Sequence, residues 1–222
     1  NCVKDIVRDS RVILAVDVGL KKHYALGNAA GIFEMGTVSE WEDIEFLLNK
    51  YDAVAIIDVA PDLTAPRKLK DKYKGRVYLC DYTEDKDDRD TIRWGRTDKW
   101  GFVYADRSRA IQETIDDMVA GVFKFEYDTS YGVVAPELET FIQHWETMYQ
   151  TVATNRMGVE RQVWESDGAD HYVHVTLYYR IGKKRFSKQT PVIKEEKKVD
   201  PIYAELLGLK KTGTDNKPWH WY

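Results

Sequence analysis

The amino-acid sequence predicts an α/β domain built on a mixed sheet, in which an antiparallel meander precedes two parallel strands and helices flank both. Two strand-length segments, residues 12–18 and 53–60, are continuously apolar, which is typical of strands covered on both faces. A hairpin signal follows the first segment, and helical patterns separate the later strands. The chain has 222 residues, 43% of them hydrophobic, which is enough for one large core.

The first three strands are predicted to form the meander. They cover residues 12–18, 23–27 and 32–38, and the turn-forming segment 28–31 connects the last two. Ser39 and Glu42 then form a capping-box pattern, which predicts a helix with Ser39 as its N-cap. The apolar face of that helix is predicted to consist of Ile44, Leu47 and Leu48.

Two further strands are predicted to be parallel to the first. The strand at 53–59 is reached through the helix just described, and right-handed crossovers place such strands parallel in one sheet. A helix over 64–73 and a strand over 77–80 form a second crossover of the same kind. An antiparallel meander followed by two parallel strands is the ribonuclease H-like order, and we predict that fold.

The second half of the chain alternates helices with short strands. Dense charge at 83–106 predicts an exposed loop or irregular hairpin, followed by a helix that ends near Ala120 with Gly121 as its C-cap. A short strand is expected at 122–127, and a helix starting at Pro136 is expected to continue through Met148. The last elements are a strand at 159–164 and a helix at 169–181 that Gly182 stops.

Charge divides the chain into two predicted parts, a ribonuclease H-like domain at 1–182 and a basic tail at 183–222. The net charge is −4, but the tail holds ten Lys and Arg against five Asp and Glu. Trp219 and Trp221 in the tail would either dock on a partner or fold back onto the domain. No apolar run approaches the ~18 residues of a membrane-spanning helix, so no membrane partner is expected.

Two cysteines, Cys2 and Cys80, form no CxxC pair, so neither a zinc framework nor a disulfide is indicated. A buried thiol at Cys80 and a reduced, cytoplasmic setting are expected instead. The first residue is not methionine, which we interpret as the start of a piece excised from a longer protein.

Asp17 and Asp58 each interrupt an otherwise apolar strand. A buried carboxylate is costly unless it is paired or binds a cation. Neighbouring strands lie ~4.8 Å apart, so two such charges would repel unless a cation lay between them. Oxygen ligands suit a hard divalent ion, and open α/β sheets place their sites at this edge. The alternative is that each aspartate caps the turn after its strand.

Asp170 is the third candidate ligand. By helical spacing it shares a face with Val173, His174 and Leu177, so it is predicted to point toward the sheet. Alternatively, it only places a favourable charge near the helix N-terminus. Asp167 is either the N-cap of that helix or a further metal ligand.

Three motifs resemble the nuclease domain of tailed-phage large terminase subunits. They are Val-Asp-Val-Gly at 16–19, Ile-Asp-Val-Ala-Pro at 57–61 followed by Arg-Lys-Leu-Lys at 67–70, and Asp-His-Tyr-Val-His-Val-Thr-Leu-Tyr-Tyr at 170–179. The resemblance covers roughly residues 12–180. Val18 stands where the family often has proline. The resemblance implies that the metal-binding acids are Asp17, Asp58 and Asp170, with Asp167 as the auxiliary ligand.

The resemblance implies an endonuclease that cuts concatemeric viral double-stranded DNA during genome packaging in the host cytoplasm. Two Mg²⁺ or Mn²⁺ ions would be its cofactors, with Asp17 bridging both, Asp58 binding one, and Asp170 with Asp167 binding the other. In the full-length family proteins the partners are a packaging ATPase domain, a small terminase subunit and the portal or procapsid. The chain contains no GxxxxGK[ST] phosphate-binding loop, so the ATPase is not encoded in it.

Basic and imidazole side chains near these motifs have two interpretations. Lys21 and Lys22 follow the first motif and either contact phosphate or lie in a solvated turn. The charged segment 83–106 combines basic side chains with Trp94 and Trp100, a combination that often contacts DNA. Its four candidate DNA-binding residues are Arg89, Arg93, Arg96 and Lys99. Seven acidic residues in the same segment favour the opposite interpretation. His171 and His174, three residues apart on a helix, could form a metal-binding pair, and His23 could approach the site from the second strand, although packing or surface exposure is the usual role of each.

The same residues are compatible with other functions. Another ribonuclease H-like nuclease, such as a resolvase, a transposase or a hybrid-cutting enzyme, would share the acids. A sugar or acetate kinase could use Asp17 and Gly19 in a phosphate loop, but its second Asp-x-Gly motif and Gly-Gly loop are missing. A non-catalytic scaffold that binds DNA or assembly partners is the remaining alternative.

Overall fold

A mixed sheet of nine strands forms the centre of the computed structural model, counted over the residues that it describes. Those are residues 2–3, 10–61, 63–83, 90–95, 100–126, 136–154 and 158–187. The strands of the sheet are β1 (Cys2–Val3), β2 (Ile13–Asp17), β3 (Lys22–Gly27), β4 (Ile32–Val38), β5 (Val54–Asp58), β6 (Val77–Tyr82), β7 (Ile92–Trp94), β8 (Phe102–Ala105) and β9 (Phe125–Glu126). Their spatial order is β1-β9-β4-β3-β2-β5-β6-β8-β7.

Five helices and a separate hairpin surround this sheet in the described ranges. They are α1 (Trp41–Lys50), α2 (Thr64–Lys72), α3 (Arg107–Val119), α4 (Pro136–Glu146) and α5 (His171–Phe186), with the antiparallel strands β10 (Met148–Thr154) and β11 (Glu160–Ser166). None of the described helices is both long enough and apolar enough to cross a lipid bilayer.

The predicted ribonuclease H-like strand order is confirmed. β2, β3 and β4 form the antiparallel meander, and β5 and β6 continue the sheet in parallel with β2. The meander leads into α1 and then β5, so the chain enters β5 through a crossover, as expected for neighbouring parallel strands. Asp17 and Asp58 therefore terminate neighbouring strands at the same edge of the sheet.

Both faces of the central strands are covered, which explains their uninterrupted apolar sequences. On β2, Ile13 and Ala15 face a core shared with α3, α4 and α5, whereas Leu14 and Val16 face a second core shared with α1 and α2. Each of these four side chains is fully buried. The two cores hold β2 and β5 from both sides and so fix the positions of the carboxylates at their ends.

Over its described residues, the charged segment 83–106 forms a hairpin within the sheet, so of the two predicted alternatives the hairpin is confirmed and the exposed loop is wrong. β7 and β8 pair as an antiparallel hairpin, and β8 also pairs in parallel with β6. Val103 and Ala105 on β8 are completely buried. Within the described part of this segment, the strands have only three and four residues and lie among many charged residues. Such short strands do not produce a clear hydrophobic pattern in the sequence.

Helix α1 begins at Trp41, so the predicted capping box is wrong. Glu40 occupies the N-cap position, and no side chain there forms a capping hydrogen bond. Glu42 and Asp43 lie in the first turn, where negative charge interacts favourably with the helix dipole. The predicted apolar face is confirmed, because Ile44, Leu47 and Leu48 are its buried residues.

The end of α4 also differs from the prediction, because Met148 is the first residue of β10 and not part of a helix. The β10–β11 hairpin packs on α3, where Nε1 of Trp164 donates to Oε1 of Gln112 at 3.1 Å. Most of the β10 side chains are exposed or only partly buried. Because β10 is stabilised mainly by pairing with β11, it needs few apolar side chains. The hydrophobic pattern of the sequence therefore does not indicate a strand there.

Helix α5 continues through Gly182 to Phe186, so the prediction that Gly182 stops this helix is wrong. A Cβ atom on Gly182 would lie 2.5 Å from Cγ2 of Ile13 and 3.3 Å from Cγ1 of Ile56. Glycine is thus required for α5 to approach β2 and β5 this closely. The tail candidates at 188–222, including Trp219 and Trp221, lie outside the described residues.

Replacing Gly182 with alanine is expected to destabilise the domain by about 1–3 kcal/mol, the usual cost of overpacking a core. In an uncrowded helix the same change stabilises by roughly 0.5–1 kcal/mol, so the sign of the effect is diagnostic. Chemical denaturation of both proteins would measure it. In an Ile13→Ala background the cost should shrink, because the nearest clashing atom is gone. An unchanged cost would show that this contact is not the cause.

Candidate metal centre

Asp17 and Asp58 lie side by side at the carboxyl edge of the sheet. Each is the last residue of its strand, and Val16 pairs with Ile57 in the parallel register that precedes them. Asp17 is 5% exposed, and Asp58 is partly buried. The two aspartates thus end adjacent strands at the edge where open α/β sheets place their ligand sites.

The charge of Asp58 is poorly compensated by the protein. Burial first, and then the nearby charge of Asp17, raises the pKa of Asp58 to about 6. Its Oδ1 accepts a hydrogen bond from the backbone N–H of Ala60 at 3.2 Å. Among the described residues, no lysine or arginine forms an ion pair with Asp58. A divalent cation would supply the missing positive charge.

Two histidines lie against Asp17. Nδ1 of His171, at the start of α5, is 2.8 Å from Oδ2 of Asp17. His23 lies directly opposite Asp17 on β3, and its ring stacks on that of His171 with centroids 4.3 Å apart. One possible ligand atom from each of the three residues lies within 4.8 Å of the others. Over the described ranges, no other group of three or more His, Cys, Asp or Glu side chains is this close.

The two imidazoles have opposite charge preferences. The hydrogen bond to Asp17 raises the pKa of His171 above its ordinary value, against the effect of burial. Burial and the neighbouring His171 lower the pKa of His23 to about 4. Nδ1 of His23 is buried and has no hydrogen-bond partner among the described residues. At neutral pH the ring of His23 is therefore uncharged, and one of its nitrogens carries a lone pair.

Asp170 occupies the N-cap position of α5 but belongs to a different set of contacts. Its Oδ2 lies 3.2 Å from Nη2 of Arg107 and 3.2 Å from Nε2 of His174. The hydrogen bond from His174 is the largest cause that lowers the pKa of Asp170. Tyr82 completes the chain of contacts, since its hydroxyl is 2.7 Å from Nδ1 of His174. Neither Asp170 nor Asp58 belongs to the close ligand group that Asp17 forms with His23 and His171.

Asp167 is exposed and lies before α5, with its backbone N–H donating to the carbonyl of Thr147 at 3.2 Å. The alternative in which Asp167 is the N-cap of the last helix is wrong, because Asp170 holds that position. Its carboxylate is not part of the group formed by Asp17, His23 and His171.

The basic candidates are divided among several environments. Lys21 is exposed at the turn between β2 and β3. Lys22 is only 6% exposed, and its Nζ donates to the carbonyl of Ser39 at 2.6 Å, which leaves it buried away from any phosphate. Arg93 is partly buried on β7, and its Nη2 lies 3.4 Å from Oγ1 of Thr83. The remaining three candidates lie outside the described residues: Arg89, Arg96 and Lys99.

Arg107 is the basic residue that the sequence interpretation missed. It begins α3, and besides pairing with Asp170 it donates through Nη1 to the carbonyl of Trp164. It also lines a cavity of about 350 Å³ whose other basic residue is Arg161. A guanidinium beside a carboxylate can be recognised only once α3, β11 and α5 have been brought together. No local motif marks it.

Comparisons with known proteins find similarity at the level of solved structures. No protein-family model and no curated protein matches the sequence. The chain is similar to the large terminase nuclease from thermophilic phage G20c, with 13% identity, a TM-score of 0.47, and coverage of 81% of this chain and 86% of that chain.

The same nuclease with bound magnesium matches with 12% identity, a TM-score of 0.47 and coverage of 80% and 85%. The large terminase nuclease domain of Thermus phage P74-26 matches with 13% identity, a TM-score of 0.45 and coverage of 80% and 83%. These proteins are of the class that the sequence motifs resemble. At such low identity the functional argument depends on the residues of the site itself.

Proposed function

We propose that this chain is a divalent-metal-dependent endonuclease that hydrolyses phosphodiester bonds of DNA. One observation carries the proposal: Asp17 and Asp58 end adjacent parallel strands side by side, buried or partly buried, without a lysine or arginine to neutralise Asp58 among the described residues. Such an arrangement is unfavourable without a cation and is suited to holding one. The three sequence motifs at 16–19, 57–61 and 170–179 support the same class of enzyme.

The donor set fits a divalent ion. Carboxylate oxygens of Asp17 and Asp58 are hard ligands, and their strands are fixed by the two cores, so the site is preorganised. When bound, divalent ions would polarise the phosphate, lower the pKa of a water molecule and stabilise the departing oxygen. Asp17 and Asp58 would hold that charge at the carboxyl edge of the sheet.

Hydrolysis requires that water attacks phosphorus, that the bond from phosphorus to the 3′ oxygen breaks, and that a proton reaches the departing oxygen. No nucleophilic side chain is needed for these steps. Arg107 places a permanent positive charge beside Asp170, and a planar guanidinium suits phosphate oxygens. Lys21, exposed four residues beyond the end of β2, is positioned to contact the DNA backbone outside the site.

Asp170 has a conditional role in this proposal. Its carboxylate is held by Arg107 and His174, so ligation of a second ion would require it to exchange at least one of these partners. Asp167, exposed nearby in the sequence, would be free to join it. The two-ion arrangement and the packaging substrate, concatemeric double-stranded DNA, are therefore finer proposals that rest on the motif resemblance.

Supercoiled plasmid incubated with the 222-residue chain is expected to become nicked and linear in the presence of Mg²⁺ or Mn²⁺, and to stay intact with EDTA. Gel electrophoresis over time measures the conversion. Cleavage that continues in EDTA would contradict a metal-dependent mechanism. Parallel reactions with a four-way junction and an RNA–DNA hybrid distinguish a duplex nuclease from related enzymes. Much faster cleavage of the junction or of the hybrid than of plain duplex DNA would show that duplex DNA is not the preferred substrate.

A further inference from the structure

The carboxylate of Asp17 lies close to two imidazoles, whereas Asp58, which ends the adjacent strand, does not belong to this close group. We propose that Asp17, His23 and His171 bind one divalent first-row transition ion, such as Co²⁺ or Zn²⁺, in preference to Mg²⁺. This inference deepens the proposed nuclease function, on whose metal centre it rests, by naming the class of ion that the centre selects.

Geometry supports a shared ion. The three ligands come from three different elements, β2, β3 and α5, which pack together through the core. Nδ1 of His171 is already 2.8 Å from Oδ2 of Asp17, and all three ligand atoms lie within 4.8 Å of one another. Metal–ligand bonds of about 2.0–2.2 Å hold the donors of a tetrahedral site roughly 3.3 Å apart. Only small side-chain rotations are needed to reach that spacing.

Chemistry selects the class of ion. Mg²⁺ prefers an octahedral shell of oxygen atoms and retains several water molecules, whereas imidazole nitrogen favours Zn²⁺, Co²⁺ and similar ions. A set of two nitrogens and one carboxylate oxygen therefore binds a transition ion more tightly than Mg²⁺. Asp58, on the adjacent strand, adds negative charge that strengthens the attraction for any cation.

The state of His23 points to the same conclusion. Its Nδ1 is buried without a hydrogen-bond partner in the described part of the chain, although buried polar atoms are usually paired. The ring is held by stacking on His171, which places it beside Asp17 without using that nitrogen. A bound ion would remove the unsatisfied interaction, either directly or by fixing the tautomer of the ring.

His144 provides an internal control. Its ring centroid lies 5.7 Å from that of His23 and 5.6 Å from that of His171, so it shares their environment. However, its Nδ1 accepts the backbone N–H of Tyr172 at 3.2 Å, and it is not a member of the ligand group. His144 is therefore a histidine of the same cluster that lies near the site without being one of the proposed ligands.

Titration of the metal-free 222-residue chain with Co²⁺, followed by visible absorption, tests the proposal. One ion should bind with the d–d spectrum of a nitrogen-containing site, and about 100-fold excess Mg²⁺ should not displace it. His23→Gln and His171→Gln should each weaken Co²⁺ binding by about 100-fold or more, since even outer-shell changes cost 10–100-fold. His144→Gln should leave the Co²⁺ affinity within about threefold of the parent. Equal losses in all three variants would overturn the assignment.

Nuclear magnetic resonance of the unmutated protein avoids reliance on variants that fold poorly. The chain has five histidines, and Zn²⁺ should shift the imidazole signals of His23 and His171 while leaving that of His144 nearly unchanged. Absence of these shifts would overturn the inference even if Mg²⁺ supports DNA cleavage. Histidine-dependent Co²⁺ binding without cleavage by any ion would instead leave this inference intact and reject the proposed nuclease.

Discussion

Asp17→Asn is expected to lower the rate of plasmid cleavage by about 10³-fold or more, equivalent to ~4 kcal/mol of transition-state stabilisation. The substitution keeps the size of the side chain but removes the negative charge, which raises the pKa of Asp58 and interacts with the ring of His171. A neutral amide binds a divalent ion far less well than a carboxylate does. The effect should be measured as the initial rate at saturating Mn²⁺. A high Mn²⁺ concentration partly compensates for weaker metal binding, so the remaining loss reflects the catalytic step itself.

The same substitution should not unfold the protein. Neutralising Asp17 relieves its repulsion of Asp58 but also weakens its interaction with His171, and the amide oxygen of asparagine can still accept a hydrogen bond there, so the thermal midpoint should change little. Asp43→Asn, on the exposed surface of α1, is the matched control and should retain full cleavage. An Asp17→Asn protein that is folded and as active as the parent would exclude Asp17 from the metal centre, and with it the proposed mechanism.

Arg180→Met is expected to destabilise the domain by about 3–5 kcal/mol, the usual cost of breaking a buried ion pair. Arg180 is only 2% exposed, and its Nε and Nη2 contact Asp117 at 2.5 Å and Glu113 at 2.6 Å. Those carboxylates remain partly exposed to water, so the lower end of the range is expected. Urea denaturation of both proteins measures the difference in the free energy of unfolding.

Lys184→Met provides the comparison on the same helix. Its Nζ lies 3.9 Å from both Glu113 and Asp117, but the side chain is 56% exposed, so its removal should cost no more than about 1 kcal/mol. Arg180→Lys should fall between the two, because it keeps the charge but loses the forked geometry that reaches both acids. Equal effects of Arg180→Met and Lys184→Met would show that burial of the ion pair does not matter.

The pH dependence of stability follows from Glu113. Burial opposes ionisation, but hydrogen bonds from Thr91 and Arg180 lower the net pKa of Glu113 below its ordinary value. A carboxyl whose pKa is lower in the folded state stabilises the fold above its unfolded pKa, about 4.3. That contribution should be lost as the pH falls below about 4.3. The pH-dependent loss should be smaller in Arg180→Met, where one of the two hydrogen bonds that lower the pKa of Glu113 is removed and that from Thr91 remains.

Much of the sheet could be predicted because hydrophobic pattern and connectivity are local properties. Continuous apolarity indicates β2 and β5, and the crossover rule predicts that they are neighbouring parallel strands. The sequence therefore predicts that Asp17 and Asp58 lie at the same edge of the sheet. Residues whose role depends on distant partners were less accessible. β10 has few buried side chains, and Gly182 within α5 looks like a helix terminator because its contact with Ile13 is not visible in the sequence.

The pair of aspartates was thus determined by the sequence alone, since each one interrupts a buried strand and both strands end at one edge. The remainder of the site was decided only by the tertiary structure. Antiparallel pairing brings His23 opposite Asp17, and the packing of α5 brings His171 to the same carboxylate while Arg107 holds Asp170 elsewhere. These contacts join residues separated by up to 154 positions, and no local pattern encodes a distance between elements that meet only when the core forms.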